Sequence, residues 1–193
     1  NMNLPNKLTI LRAVLIPFFL VALLCDQNYG GFVPYGNWIA LVIFAAASIT
    51  DMLDGKIARK YNLVTNFGKF MDPLADKLLV SSALIAFIEL HRIPAWIVII
   101  IIAREFIISG YRLVAADKGI VIAAGIWGKV KTAVTMVMLC IVIADLVRVG
   151  VLMPYATEIH IVEMVLIYIS LILTVVSLID YLLQNKDVLS DVK

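Results

Sequence analysis

The stretch Asp51-Met52-Leu53-Asp54-Gly55-Lys56-Ile57-Ala58-Arg59, followed after eight residues by Gly68-Lys69-Phe70-Met71-Asp72-Pro73-Leu74-Ala75-Asp76, decides how the rest of the chain is read. It sets four aspartates within otherwise apolar segments. A carboxylate in or beside lipid is costly, so a group of four needs a partner, and the natural partner is a cation. The spacing predicts helix. Asp51, Asp54, Gly55 and Ala58 stand at i, i+3, i+4 and i+7, which is one helical face. Gly68, Asp72 and Asp76 recur every four residues and share a face of the next segment. Two helices joined by a turn as short as Tyr61–Phe67 normally pack together as antiparallel neighbours. The four carboxylates then converge at one membrane surface.

The surrounding composition identifies the solvent. Of 193 residues, 63% are hydrophobic and only 16% charged, and the mean hydropathy is +1.01. A soluble domain of this size keeps too large a wet exterior to carry that composition. The chain therefore reads as an integral membrane protein. A helix crosses the bilayer core in roughly 20 apolar residues. The apolar runs predict an all-α bundle of six transmembrane helices near Thr9–Cys25, Trp38–Arg59, Phe70–Leu90, Pro94–Ala115, Gly128–Leu146 and Ile159–Leu183. One membrane domain is expected over residues 2–193, with no internal repeat or low-complexity tract. Asn1 reads as an addition ahead of a natural start at Met2. Basic Lys7 and Arg12 before Ala13–Cys25 give that segment the look of a signal peptide. No A-x-A-like cleavage site follows and further spans do, so it is read as a retained helix.

Basic residues set the orientation. With a cytoplasmic N-terminus, the inner loops and helix ends collect Lys7, Arg12, Lys56, Arg59, Lys60, Lys69, Lys77, Arg112, Lys118, Lys129, Lys131, Lys186 and Lys193. The outer side keeps only Arg92 and Arg148, and Arg104 lies within a span. By the positive-inside rule both termini are cytoplasmic, and the aspartates face the cytoplasm. Cys25 and Cys140 are isolated in apolar helices and read as packing residues rather than a disulfide or zinc site. His91 and His160 are equally isolated. No nucleic-acid partner is expected.

Carboxylate oxygens without His or Cys suit hard cations such as Mg²⁺, Mn²⁺ or Ca²⁺ and argue against zinc. Four carboxylates more than balance one divalent ion, so a two-metal site is expected, a known device for clamping attacking and leaving oxygens in phosphoryl transfer. Gly55, Ala58 and Gly68 leave room for a ligand near the backbone, and Arg59 offers a planar fork to a phosphate. Blander readings exist for each residue alone: a solvated aspartate at a helix end, or a small residue at a helix–helix contact. They do not account for the whole set in register. A cation transporter would place acidic residues at several depths along a path. Here Asp51, Asp54, Asp72 and Asp76 crowd one side, and no inverted repeat is evident.

The pattern D-x-x-D-G-x-x-A-R, eight residues, then G-x-x-x-D-x-x-x-D resembles the signature of the CDP-alcohol phosphotransferases, and Asp51 to Asp76 match every defined position. The six-span plan is similar to the family over nearly the whole chain. The resemblance implies an integral membrane enzyme that transfers a phosphatidyl group from CDP-diacylglycerol, or a related donor, to an alcohol and releases CMP. It implies two divalent cations, Mg²⁺ or Mn²⁺, held by Asp51, Asp54, Asp72 and Asp76 on the donor's pyrophosphate, with Asp76 as general base. It further implies that Asp51, Asp54, Gly55, Ala58, Arg59 and Gly68 line the CDP site, that lipid is a partner, and that the protein is a homodimer.

The acceptor is read from other residues. Arg104 interrupts an apolar span in Ala103-Arg104-Glu105-Phe106, a costly position that needs a partner, either Glu105 or a ligand. Arg112 follows eight residues on, on roughly the same face, and Lys129 and Lys131 open the next span in Gly128-Lys129-Val130-Lys131-Thr132. Snorkelling alone would explain those lysines. As a set, Arg104, Arg112, Lys129 and Lys131 form a cationic group suited to an acceptor that carries its own phosphate. These runs, with Pro5-Asn6-Lys7-Leu8-Thr9-Ile10-Leu11-Arg12, resemble the bacterial branch of the family that uses sn-glycerol 3-phosphate. That implies a bacterial inner-membrane enzyme making phosphatidylglycerol phosphate. Inositol phosphate, serine or phosphatidylglycerol are the alternative acceptors.

Overall fold

The computed structural model of the chain describes the backbone of residues 4–60, 66–117, 119–120, 122 and 125–186, and side chains over 7–50, 77–116, 119–120, 122 and 125–186. Among these residues the chain is helical: α1 (Leu4–Leu24), α2 (Gly36–Lys60), α3 (Asn66–Glu89), α4 (Ala95–Asp117), α5 (Ile126–Ala144) and α6 (Ala156–Gln184). Each predicted span coincides with one of these helices, shifted by a few residues at its ends. Two single 3-10 turns, Gln27–Tyr29 and Met153–Tyr155, lie in the connections. Three helical stretches, Lys7–Leu24, Ile126–Ala144 and Met153–Gln184, are long and apolar enough to cross a membrane, and α2 adds the shorter apolar stretch Gly36–Thr50. On α4, Arg104, Glu105 and Arg112 interrupt an otherwise apolar helix. Large apolar side chains such as Phe18, Val42, Ile99, Phe106 and Leu183 are exposed along the helices, as a lipid-facing surface requires.

The chain divides into two compact units. The first comprises Asn1–Arg92 and Cys140–Pro154. In it α1 packs against both α2 and α3. α1 buries Thr9, Arg12, Ile16, Phe19 and Leu23, the alternating three- and four-residue step of a helix-packing seam. The rings of Phe19 and Phe44 meet at 5.9 Å between centroids. Closer to the α1–α2 connection, a Cβ at Gly36 would fall 2.2 Å from the Ala22 carbonyl oxygen. Contacts thus descend α1 as they ascend α2, so the two helices run antiparallel, and only glycine fits their closest approach.

The connections of this unit are tied together by buried charge. Asp26 accepts from the Asn28 amide at 2.6 Å and from the Asn37 amide, and Asn37 Nδ2 donates to the Ala144 carbonyl at 2.7 Å. Asp145 Oδ2 receives the Tyr29 hydroxyl at 2.5 Å and lies 2.5 Å from Arg92 Nη1 and 3.5 Å from Arg148 Nε. Arg92 also donates to the Tyr29 oxygen at 2.9 Å, and Arg148 stacks 4.2 Å from the centre of the Tyr29 ring. The two sparse cations assigned to the outer side therefore converge on one carboxylate.

The second unit comprises Ile93–Leu139 and Tyr155–Lys193. α4 packs on α6 around Ile108, Tyr111, Ala115 and Tyr181. The two tyrosine rings meet edge to face at 5.7 Å, and the Tyr111 hydroxyl donates to the Asn185 carbonyl at 2.7 Å. α5 joins through a buried hydroxyl pair, Thr135 Oγ1 and Ser170 Oγ, 2.7 Å apart.

Candidate active site

α2 runs through Asp51, Asp54, Gly55, Ala58 and Arg59, and α3 through Gly68, Asp72 and Asp76. The side chains of these eight residues lie outside the described ones. The adjoining turns show a rhythm. α2 buries Asn37, Ala40, Phe44 and Ala47, and the same alternation of three and four residues next reaches positions 51, 54 and 58. α3 buries Leu79, Ala83 and Ala86, and stepping back at that alternation reaches positions 76 and 72. Among the described residues no group of three or more His, Cys, Asp or Glu gathers. The donor set of the motif, carboxylate oxygen alone, has the chemistry that fits hard divalent cations.

The second unit holds a cavity of about 280 Å³ whose walls include Arg104, Arg112, Gly125, Gly128, Asp180 and Gln184. Arg104 is buried, at 8% exposure. Its Nε donates to Ser177 Oγ at 3.1 Å and its Nη1 to Glu105 Oε1 at 3.0 Å. Ser177 in turn donates to the Thr174 carbonyl at 3.0 Å, which directs its lone pair towards Arg104. Lys131, at 3% exposure, places Nζ 2.5 Å from the same Glu105 oxygen. One carboxylate thus faces two buried cations, an arrangement that makes their burial tolerable. Arg112 is exposed, with its guanidinium carbon 5.9 Å from the Tyr181 ring centre.

Of the four cations expected to hold an acceptor phosphate, Arg104 and Arg112 line the cavity. Lys131 is joined to Arg104 through Glu105, and Lys129 is exposed on the first turn of α5. Reading the sequence alone passed over the α6 contribution, Ser177, Asp180 and Gln184. A signal was present: Ser170, Thr174, Ser177 and Tyr181 interrupt a very apolar helix at steps of four, three and four and are buried, so they mark one polar stripe turned to protein rather than lipid.

A family model described as CDP-alcohol phosphatidyltransferase matches residues 2–176. The chain is 51% identical over 136 residues to the CDP-diacylglycerol–glycerol-3-phosphate 3-phosphatidyltransferase of Bacillus subtilis, covering 67% of this chain and 70% of that one. It is 40% identical to the Haemophilus influenzae protein of the same name, across 98% of this chain and 96% of the relative. A probable phosphatidylglycerophosphate synthase of Mycobacterium tuberculosis is 37% identical over 93% of this chain and 79% of its own length. The family match runs through both compact units and contains the whole aspartate motif. The chain belongs to the CDP-alcohol phosphatidyltransferase family.

Proposed function

We propose that the protein transfers the phosphatidyl group of CDP-diacylglycerol to sn-glycerol 3-phosphate, giving phosphatidylglycerol phosphate and CMP. The observation that carries this reading is the complete motif, Asp51 to Asp76, borne on the consecutive helices α2 and α3 of a chain whose full-length relatives carry the corresponding names. An acceptor hydroxyl oxygen attacks the donor phosphorus that bears diacylglycerol, the bond from that phosphorus to the CMP oxygen breaks, and the hydroxyl proton passes to Asp76. Asp51, Asp54, Asp72 and Asp76 would hold two divalent cations, Mg²⁺ or Mn²⁺. Bound there, the ions supply neutralisation of pyrophosphate charge. Gly55, Ala58 and Gly68 keep the helix faces open for CDP, and Arg59 pairs with its phosphate.

On the acceptor side, Arg104 and Arg112 receive the phosphate of glycerol 3-phosphate, and Lys129 and Lys131 add positive potential. Support comes from the cavity that the two arginines line and from the fixed setting of Arg104. The same reading has six crossings with both termini and the aspartates on the cytoplasmic side of a bacterial inner membrane, and a homodimer surrounded by lipid.

Purified protein with CDP-diacylglycerol should release CMP only when sn-glycerol 3-phosphate is added. Chelation of divalent ions should stop the release, and Mg²⁺ or Mn²⁺ should restore it. Transfer to serine, inositol phosphate or phosphatidylglycerol, with none to glycerol 3-phosphate, would overturn the acceptor. Cation flux through vesicles without CMP release would replace the enzyme reading with a transporter.

A further inference from the structure

Gly125 and Gly128, three residues apart, each stand against one charged edge of the second unit's cavity. A Cβ at Gly128 would lie 3.4 Å from Arg104 Nη2, and a Cβ at Gly125 would lie 3.4 Å from Asp180 Oδ2. Among the described residues, these edges are the ones the local hydrogen bonds leave over. Arg104 engages Nε with Ser177 and Nη1 with Glu105, so Nη2 remains. Asp180 accepts Gln184 Nε2 on Oδ1 at 2.7 Å, so Oδ2 remains. Both residues line the cavity together with Arg112.

Among the described residues the lining therefore carries two guanidinium groups and one carboxylate. A bare anion gains from the arginines and is repelled by Asp180. A small molecule with a phosphate at one end and a hydroxyl a few bonds away serves all three groups. We propose that Asp180 is a specificity-determining residue of the acceptor pocket: its Oδ2 accepts a hydrogen bond from a hydroxyl of a phosphorylated polyol whose phosphate lies on Arg104 and Arg112. The hydroxyl it reads is one that the transfer does not consume. This inference rests on the acceptor reading above and names what selects that acceptor. A site built to bind a hydroxyl rejects the analogue lacking it, because its own polar group is then left unpaired. Gly125 and Gly128 keep both free edges uncovered.

The test uses the full chain in nanodiscs with CDP-diacylglycerol and Mg²⁺, and compares sn-glycerol 3-phosphate with 3-hydroxypropyl phosphate, which lacks the middle hydroxyl. Wild-type protein should prefer glycerol 3-phosphate by roughly tenfold or more in kcat/KM, the scale of a hydrogen bond to a charged group. Asp180→Ala should bring the two acceptors to within about twofold and leave the KM for CDP-diacylglycerol unchanged. A preference retained in Asp180→Ala, or absent from the wild type, overturns the assignment. If Asp180→Ala does not fold, Gly125→Ala decides: it should raise the KM for glycerol 3-phosphate and leave that for 3-hydroxypropyl phosphate unchanged. An equal change in both overturns it. Wild-type protein that releases CMP with neither acceptor refutes the functional reading itself, and this inference with it, a result distinct from a retained preference.

Discussion

At the residue scale, Glu105 balances the charge of two buried cations in the second unit. It faces Arg104 at 3.0 Å and Lys131 at 2.5 Å, both cations almost fully buried. Breaking a buried pair by removing one partner costs about 3–5 kcal/mol, because the remaining charge stays desolvated. Glu105→Leu should therefore destabilise the protein on that scale, and adding Lys131→Met should return part of the loss. Chemical unfolding in mixed micelles measures both, and strictly additive losses would show that the pair is not coupled. Asp76→Asn probes the other side of the reaction. It should abolish turnover while CDP-diacylglycerol still raises the thermal midpoint, and full turnover in that variant would remove Asp76 as the base. The sequence made Arg104 and Glu105 legible, since an ion pair inside an apolar run is anomalous on its face. It set Lys131 in one cationic group with Arg104 but did not show its pairing with Glu105, because 26 residues separate the two and only the packing of α5 closes that distance. Asp180 lay hidden for the same reason: an acidic residue near a helix end is ordinary until the fold shows it in a cavity.

At the element scale, the six helices among the described residues were readable from long apolar runs, and their ends moved by only a few residues. The loops were not readable. Tyr29, Arg92, Asp145 and Arg148 come from three different connections, and no periodicity links them, yet they share one carboxylate oxygen in the first unit. Burial there pushes the Tyr29 phenol up to about 12 from 10, and its hydrogen bond to Asp145 reinforces the shift. The folded state thus favours the neutral phenol. The stability this contributes is fully present below pH 10 and is lost as pH rises through about 12. Thermal midpoints recorded from pH 9 to 12 should fall less steeply in Tyr29→Phe than in the wild type, about as far as one titrating group allows. Parallel curves would remove Tyr29 from the alkaline transition. Asp145→Ala removes the buried carboxylate that Tyr29, Arg92 and Arg148 share and should cost about 3–5 kcal/mol at neutral pH.

At the scale of the whole molecule, the proposed topology, drawn from the positive-inside count and the helix order, is itself a prediction. It expects the first, third and fifth connections outside, and the second and fourth inside with both termini. Exposed residues in these connections make that arrangement measurable. Phe32 between α1 and α2 and Met153 between α5 and α6 are exposed at 80% and 67%, and Ile120 between α4 and α5 at 45%. Cys25 and Cys140 are free thiols, so both are first replaced by Ala and the variant checked for CMP release. Single cysteines at 32, 120 and 153 then report topology through a membrane-impermeant maleimide. In intact inner-membrane spheroplasts, Phe32→Cys and Met153→Cys should label at once, and Ile120→Cys only after permeabilisation. Labelling of Ile120→Cys in intact cells would put the connection beside the arginine-lined cavity outside. A phosphorylated acceptor made in the cytoplasm would then have no route to Arg104 and Arg112, and the acceptor assignment would fall with the topology.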